Sequence, residues 1–324
     1  MPPRLLVFRA IAPLLPPDAC AAPGALERVL DDTVSAGYDG VEAQVSQILL
    51  AGPARFGDAL AARRLRLIGK IYSSGGPSAS PHAAGVIGAT SAGVTHPCPG
   101  PSVAEHLAVW CAQLEELARG PPSLVGALVS VSSQGGRDAF HAGGGAQADA
   151  FLTGALDAAE ALRGAGQLTV PVHHETHRHR CLFSPWHAVD AVAAHPRLRL
   201  LADLSHFSVV CEVPCGEPAL EAAVAALLPR VGHVHARVGF EQGPQVADPR
   251  APGAAAQLAG FTAWWVTAWR HAVAAGADEV TATPEFLPAP YCPARPDGTP
   301  VADVEEINVW MAGHLRRAFA EAKF

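Results

Sequence analysis

LTVPVHHETHRHRCLFSPWHAVDAVAAHPRLRLLADLSH, residues 168–206, holds one complete unit of a repeating pattern. It opens on an apolar run (168–174), crosses a polar stretch and takes up helical spacing over 185–195. It then turns on His195 and Pro196 and closes on a second apolar run, 198–203. Short continuous apolar runs joined through a helix read as buried parallel strands, because parallel pairing needs a crossover of that length. Each run ends on an acidic residue, Glu175 after the first and Asp203 at the close of the second.

The same alternation extends in both directions. Strands are predicted at 4–10, 40–45, 66–72, 124–131, 168–174, 198–203, 230–236 and 278–285, and helices at 24–36, 53–63, 101–119, 147–164, 185–195, 217–228, 258–275 and 302–321. Eight strand-helix units predict closure into a (β/α)₈ TIM barrel, with residues 1–324 forming a single domain. The turns from helix to strand are short (AGYD, RGPPS, GAGQ, HP, AGAD), and glycine suits a left-handed helix end. The loops from strand to helix are long, notably 73–100, 238–256 and 286–300. All fall on the face where barrels of this kind build active sites.

A net charge of −7 carries no basic footprint for nucleic acid. No apolar stretch approaches the roughly 20 residues needed to cross a bilayer. The opening MPPRLLVFRAIAPLLPP is interrupted by Pro13, Pro16 and Pro17 and reads as a first strand rather than a signal peptide. Seven cysteines without paired C-x-x-C spacing suit reduced thiols in a cytoplasmic protein.

Four donors end four successive strands: Glu175, Asp203, His235 in RVGHVHAR and Glu285 in EVTATPEF. In a barrel those ends converge, so three carboxylates and one imidazole are expected to hold a divalent cation. Mn²⁺ or Mg²⁺ suits this hard donor set, with Co²⁺ and Zn²⁺ also compatible. In HVH, His233 and His235 share a face, which puts His233 one layer deeper. His206 follows Asp203 by three residues and is placed to meet a substrate hydroxyl. Arg178 and Arg237 are cations beside ligand carboxylates. Glu42, Ser133 and Trp186 complete the expected substrate contacts, while the other tryptophans read as packing against the barrel.

The ligand order Glu, Asp, His, Glu on strands five to eight resembles the xylose isomerase-like TIM-barrel superfamily. More narrowly, it resembles the sugar phosphate isomerase/epimerase group with its ketose 3-epimerases. HETHRHRCLFSPW, DLSHFSVVCE, HVHARVGFEQGPQVADPR and PEF carry the resemblance. It implies Glu175, Asp203, His235 and Glu285 as metal ligands and His206 as a substrate contact. Two positions depart from the epimerase pattern. Cys181 stands where a substrate-binding Glu is expected, and Glu241 where an Arg is expected.

The expected chemistry is proton transfer next to a carbonyl through a metal-stabilised enediolate, with Glu175 and Glu285 as base and acid. The expected partner is a small carbohydrate or polyol, with no nucleic acid and no membrane, in a chain compatible with a homodimer. A metal-dependent lyase or dehydratase acting on a keto-sugar or keto-polyol uses the same residues. An apurinic endonuclease, which shares the fold, needs more histidine ligands and a basic face. A non-catalytic sugar-binding barrel needs no metal.

Overall fold

The computed structural model describes residues 2–73, 86–89, 95–97 and 102–324. Most of the long 73–100 loop, including Cys98, lies outside them. Eight parallel strands among the described residues are β1 (Arg4–Ala10), β2 (Gly40–Gln44), β3 (Arg66–Tyr72), β4 (Leu128–Gln134), β5 (Val172–Glu175), β6 (Leu200–Ala202), β7 (Val231–Ala236) and β8 (Glu279–Pro284). Their hydrogen-bonding order, β1-β8-β7-β6-β5-β4-β3-β2, closes into a barrel, so the (β/α)₈ fold read from the sequence is the observed one. Residues 86–89 and 95–97 form a separate antiparallel pair. No helix among the described residues is long and apolar enough to cross a membrane.

Tertiary contacts group the chain into two compact units. One comprises Met1–Arg9, Glu175–Arg178 and Leu182–Phe324, and the other Ala10–His174 and His179–Cys181. In the first, Val7, Phe8, Leu200, Leu201, Val234 and Ala282 are fully or almost fully buried on the strands. Phe261 and Trp265 on the helix Ala255–Ala274 and Leu315 on Val304–Glu321 add to this core. In the second unit Val41, Leu67, Ile68 and Val131 are fully buried, as is Trp110. Complete burial of such a side chain contributes roughly 1.5–3 kcal/mol, so the strand runs that signalled the fold also anchor it. Gly37 and Gly276 end helices at φ of 76° and 94°, the left-handed conformation that the AGYD and AGAD turns require.

The fourth strand lies further along the chain than its predicted span. Pro122 starts a short helix, Pro122–Ala127, in which the Leu124 and Val125 N–H groups donate to the Pro121 carbonyl. The strand therefore runs 128–134 rather than 124–131, and Ser132, Ser133 and Gln134 lie within it. A short apolar run fits either conformation, and the two prolines decide for the helix. The fifth strand starts late, at Val172, because Pro171 has no N–H to give to a ladder. Short helices at Val45–Ala51 and Ser205–Cys211 add to the predicted ones, the first taking in Val45 from the end of the predicted second strand.

Candidate metal centre

Strand register places three of the expected ligands at neighbouring strand ends. Ala202 pairs with Val234, which aligns Asp203 with His235, and Thr283 pairs with His235, which puts Glu285 two residues beyond. Glu175, Asp203, His235 and Glu285 are buried in the same unit and each offers a donor atom within 4.8 Å of the others. Nδ1 of His235 lies 2.9 Å from Glu285 Oε2 and 3.3 Å from Glu175 Oε1. Below it, His233 bonds to the hydroxyls of Thr281 (2.8 Å) and Thr283 (3.1 Å) and packs edge-on against His235 at 5.4 Å.

Arg237, two residues beyond His235, is drawn into the cluster. Its Nη2 donates to Asp203 Oδ2 at 2.5 Å and to Glu285 Oε2 at 2.8 Å, and its Nε also reaches Asp203 Oδ2. Burial alone would lower the Arg237 pKa, but Asp203 and Glu285 outweigh it and hold the guanidinium charged. Burial pushes the Asp203 carboxyl up, and Glu285 and Glu175 push the same way against Arg237. Three ionised carboxylates and the one guanidinium that bonds two of them sum to two negative charges. That is the charge of one divalent cation. Ligand atoms this close, mostly carboxylate oxygens with one imidazole nitrogen, fit such an ion.

The local fold holds the ligands in place. Ser205 at the start of the helix Ser205–Cys211 donates its N–H and hydroxyl to Asp203 Oδ1 at 3.2 and 2.5 Å. The Thr176 N–H donates to the Leu201 carbonyl and extends the ladder one residue past Glu175. After Glu285, two side-chain amides clamp the outgoing backbone. Asn308 bonds both the N–H and the carbonyl of Phe286 at 2.9 Å, and Gln245 bonds both groups of Leu287 at 2.9 and 3.0 Å.

His206 is fully buried, with Nε2 3.4 Å from Asp203 Oδ2. Burial pushes its pKa well below the ordinary imidazole value, with help from His177 and Arg237, so it is neutral. The His177 ring lies 3.8 Å from that of His206, centre to centre, and its Nδ1 donates to the Arg178 carbonyl at 2.5 Å. Glu175, His177 and His206 form a second group of potential ligands that shares Glu175 with the first. Tyr291, in the 286–300 loop, stacks against Arg237 at 4.5 Å, with Arg178 at 5.5 Å from the same ring. Neither His177 nor Tyr291 was singled out from the sequence. His177 was lost in a crowd of histidines, and Tyr291 sits in irregular backbone where no periodicity gives its direction.

The remaining expected contacts are spread more widely. Trp186 is 52% exposed in the first turn of the helix Pro185–Ala194, whereas Trp110, Trp264, Trp265 and Trp269 are buried. Glu42 and Ser133 belong to the other unit. There Glu42 lies 3.8 Å from the Lys70 ammonium, and the Ser133 hydroxyl accepts from Trp110 Nε1 at 2.8 Å and contacts His174 Nδ1 at 3.3 Å. Cys181 is buried beside Gly136, where an added Cβ would come within 2.1 Å of the thiol sulfur. Burial pushes that thiol up to about 12, which leaves it unreactive. Glu241 lies in a tight turn closed by the Phe240 and Gly243 pairing. The six described cysteines are free thiols.

Comparison of the fold with solved structures finds D-allulose 3-epimerase of Methylomonas sp. at a TM-score of 0.59 and 14% identity, over 98% of this chain and 99% of that one. The chain shares its (β/α)₈ fold with that epimerase. The 3-keto-D-glucoside 4-epimerase YcjR of E. coli is similar at a TM-score of 0.54 and 11% identity, over 97% of this chain and 100% of that one. The probable 3-DHS dehydratase AsbF of Bacillus anthracis, involved in petrobactin synthesis, gives 0.54 and 10%, over 97% and 99%. No protein-family model matches the sequence, and no curated protein matches it either.

Proposed function

We propose that this chain is a divalent-metal-dependent isomerase or epimerase of sugars or sugar derivatives that moves a proton at a carbon next to a carbonyl. The carrying observation is the buried convergence of Glu175, Asp203, His235 and Glu285, whose three carboxylates together with Arg237 sum to two negative charges when ionised. A divalent cation held there, Mn²⁺ or Mg²⁺ by the hardness of the donors, would act as a Lewis acid towards the substrate carbonyl. Glu175 and Glu285 are the base and acid, one removing the proton and the other returning it. Neutral His206 offers a hydrogen bond to a substrate hydroxyl without adding charge. Arg237 holds Asp203 and Glu285 in fixed orientation.

Elimination is a second reading, favoured by one local feature. The buried thiol of Cys181, packed against Gly136, occupies the position where the epimerase pattern has a second substrate-binding carboxylate. Incubation of the Mn²⁺-loaded protein with keto-sugars in D₂O separates the two. Deuterium at the carbon next to the carbonyl, with the carbon skeleton and hydroxyl count intact, supports isomerase chemistry. Loss of water or of a substituent supports a lyase. No exchange with any substrate that binds contradicts both.

A further inference from the structure

Hydrogen-bond donors that no protein group accepts gather around Tyr291. Its phenol hydroxyl is buried and has no hydrogen-bond partner among the described residues. The same is true of Nη1 of Arg237, whose guanidinium carbon lies 4.5 Å from the Tyr291 ring centre. Arg178 approaches the same ring at 5.5 Å, is half-buried, and pairs with no carboxylate among the described residues. All three residues belong to one unit.

Buried donors of this kind cost free energy until an acceptor arrives. A metal ion is no such acceptor, because it takes electron pairs and leaves the protons of Arg237 and Tyr291 unbonded. Charge points the same way. A divalent ion and Arg237 together cancel the three ligand carboxylates, which leaves the positive charge of Arg178 over. Guanidinium groups pair best with planar or tetrahedral oxyanions.

We propose that Tyr291, Arg237 and Arg178 form an anion subsite, and that the substrate is an acidic sugar or polyol carrying a carboxylate or phosphate. The placement of its carbonyl towards Glu175 and Glu285 and the charge left over on Arg178 rest on the proposed function; the unaccepted donors of Tyr291 and Arg237 do not.

Calorimetric titration with three probes sharing a six-carbon polyol skeleton tests this: D-sorbitol, D-gluconate and D-sorbitol 6-phosphate. The Mg²⁺-loaded protein, the metal-stripped protein and Arg178→Met are compared, with circular dichroism to confirm the fold of the variant. At least one acidic probe is expected to bind about tenfold or more tighter than sorbitol, the gain of roughly one charge-assisted contact. The better probe tells carboxylate from phosphate. Arg178→Met is expected to reduce the preference to under about threefold, since that contact is removed. Equal binding of sorbitol and both acids, or no measurable binding of either acid, overturns the proposal. So does a preference that survives unchanged in Arg178→Met, because the anion would then be held elsewhere. Failure of the metal reading shows separately, as absence of Mg²⁺ uptake in a titration without probe.

Discussion

Arg237 and Asp203 form a fully buried ion pair in which Nη2 and Nε of the guanidinium both address one carboxylate oxygen, Oδ2, at 2.5 and 3.2 Å. The other oxygen, Oδ1, is taken by Ser205. A cation bound at the centre would share Asp203 with a guanidinium, and the two positive groups would divide the neutralisation of three carboxylates. Replacing Arg237 with Met strands buried negative charge, a loss of about 3–5 kcal/mol for a broken buried pair. The thermal midpoint of the metal-free variant is expected to fall by several degrees, and added Mn²⁺ is expected to raise it by more than in the parent protein. An equal metal-induced shift in both proteins would show that Arg237 and the ion do not share this charge.

Glu285→Gln keeps the size of the side chain and removes its basicity. Loss of a positioned acid or base costs about 10²–10⁴-fold in rate. Turnover is expected to fall by at least that lower bound while the circular dichroism spectrum is unchanged. Unaltered turnover removes Glu285 from the chemistry.

Asn308 supports Glu285 from a distance, through both backbone groups of Phe286. Asn308→Leu leaves a buried N–H and a buried carbonyl without partners, at about 1–3 kcal/mol each. Asn308→Asp keeps an acceptor for the N–H and loses only the donor to the carbonyl. A graded loss of thermal stability, with Leu worse than Asp, is expected, together with weaker metal binding in the Leu variant. Equal stability of all three proteins would mean that the clamp does not hold the loop.

Three histidines set the expected acid response. Burial lowers the pKa values of His106, to about 4, of His206 and of His314. In the unfolded chain each titrates near 6.5. Below that pH the unfolded state binds protons that the folded state refuses, so stability is full above about 6.5 and falls as pH drops towards 4. Denaturant unfolding between pH 7 and 4 is expected to show this decline, with a shallower slope in His106→Gln. An unchanged slope in that variant would show that His106 is not among the groups responsible.

The legible part of the site is the part carried by strands. Glu175, Asp203, His235 and Glu285 announced themselves because each closes an apolar run, and a parallel barrel brings such endings together. Arg237 and His206 were legible by their offsets from ligands, though not the bond from Arg237 to two carboxylates, which depends on side-chain reach. Tyr291, Gln245 and Asn308 were not legible, since two lie in irregular loops and the third on a helix far along the chain. Their roles arise from three-dimensional return of the chain, which local pattern does not encode. The shift of β4 has a different origin, because 124–131 is apolar but for Ser130 and only Pro121 and Pro122 argue for the helix that precedes the strand.

The most direct test of the metal centre is anomalous scattering from crystals grown with Mn²⁺. A single strong peak is expected about 2.0–2.6 Å from a donor atom of each of Glu175, Asp203, His235 and Glu285, the range of such bonds. No peak at that position, or a peak bound by other residues, would contradict the central claim.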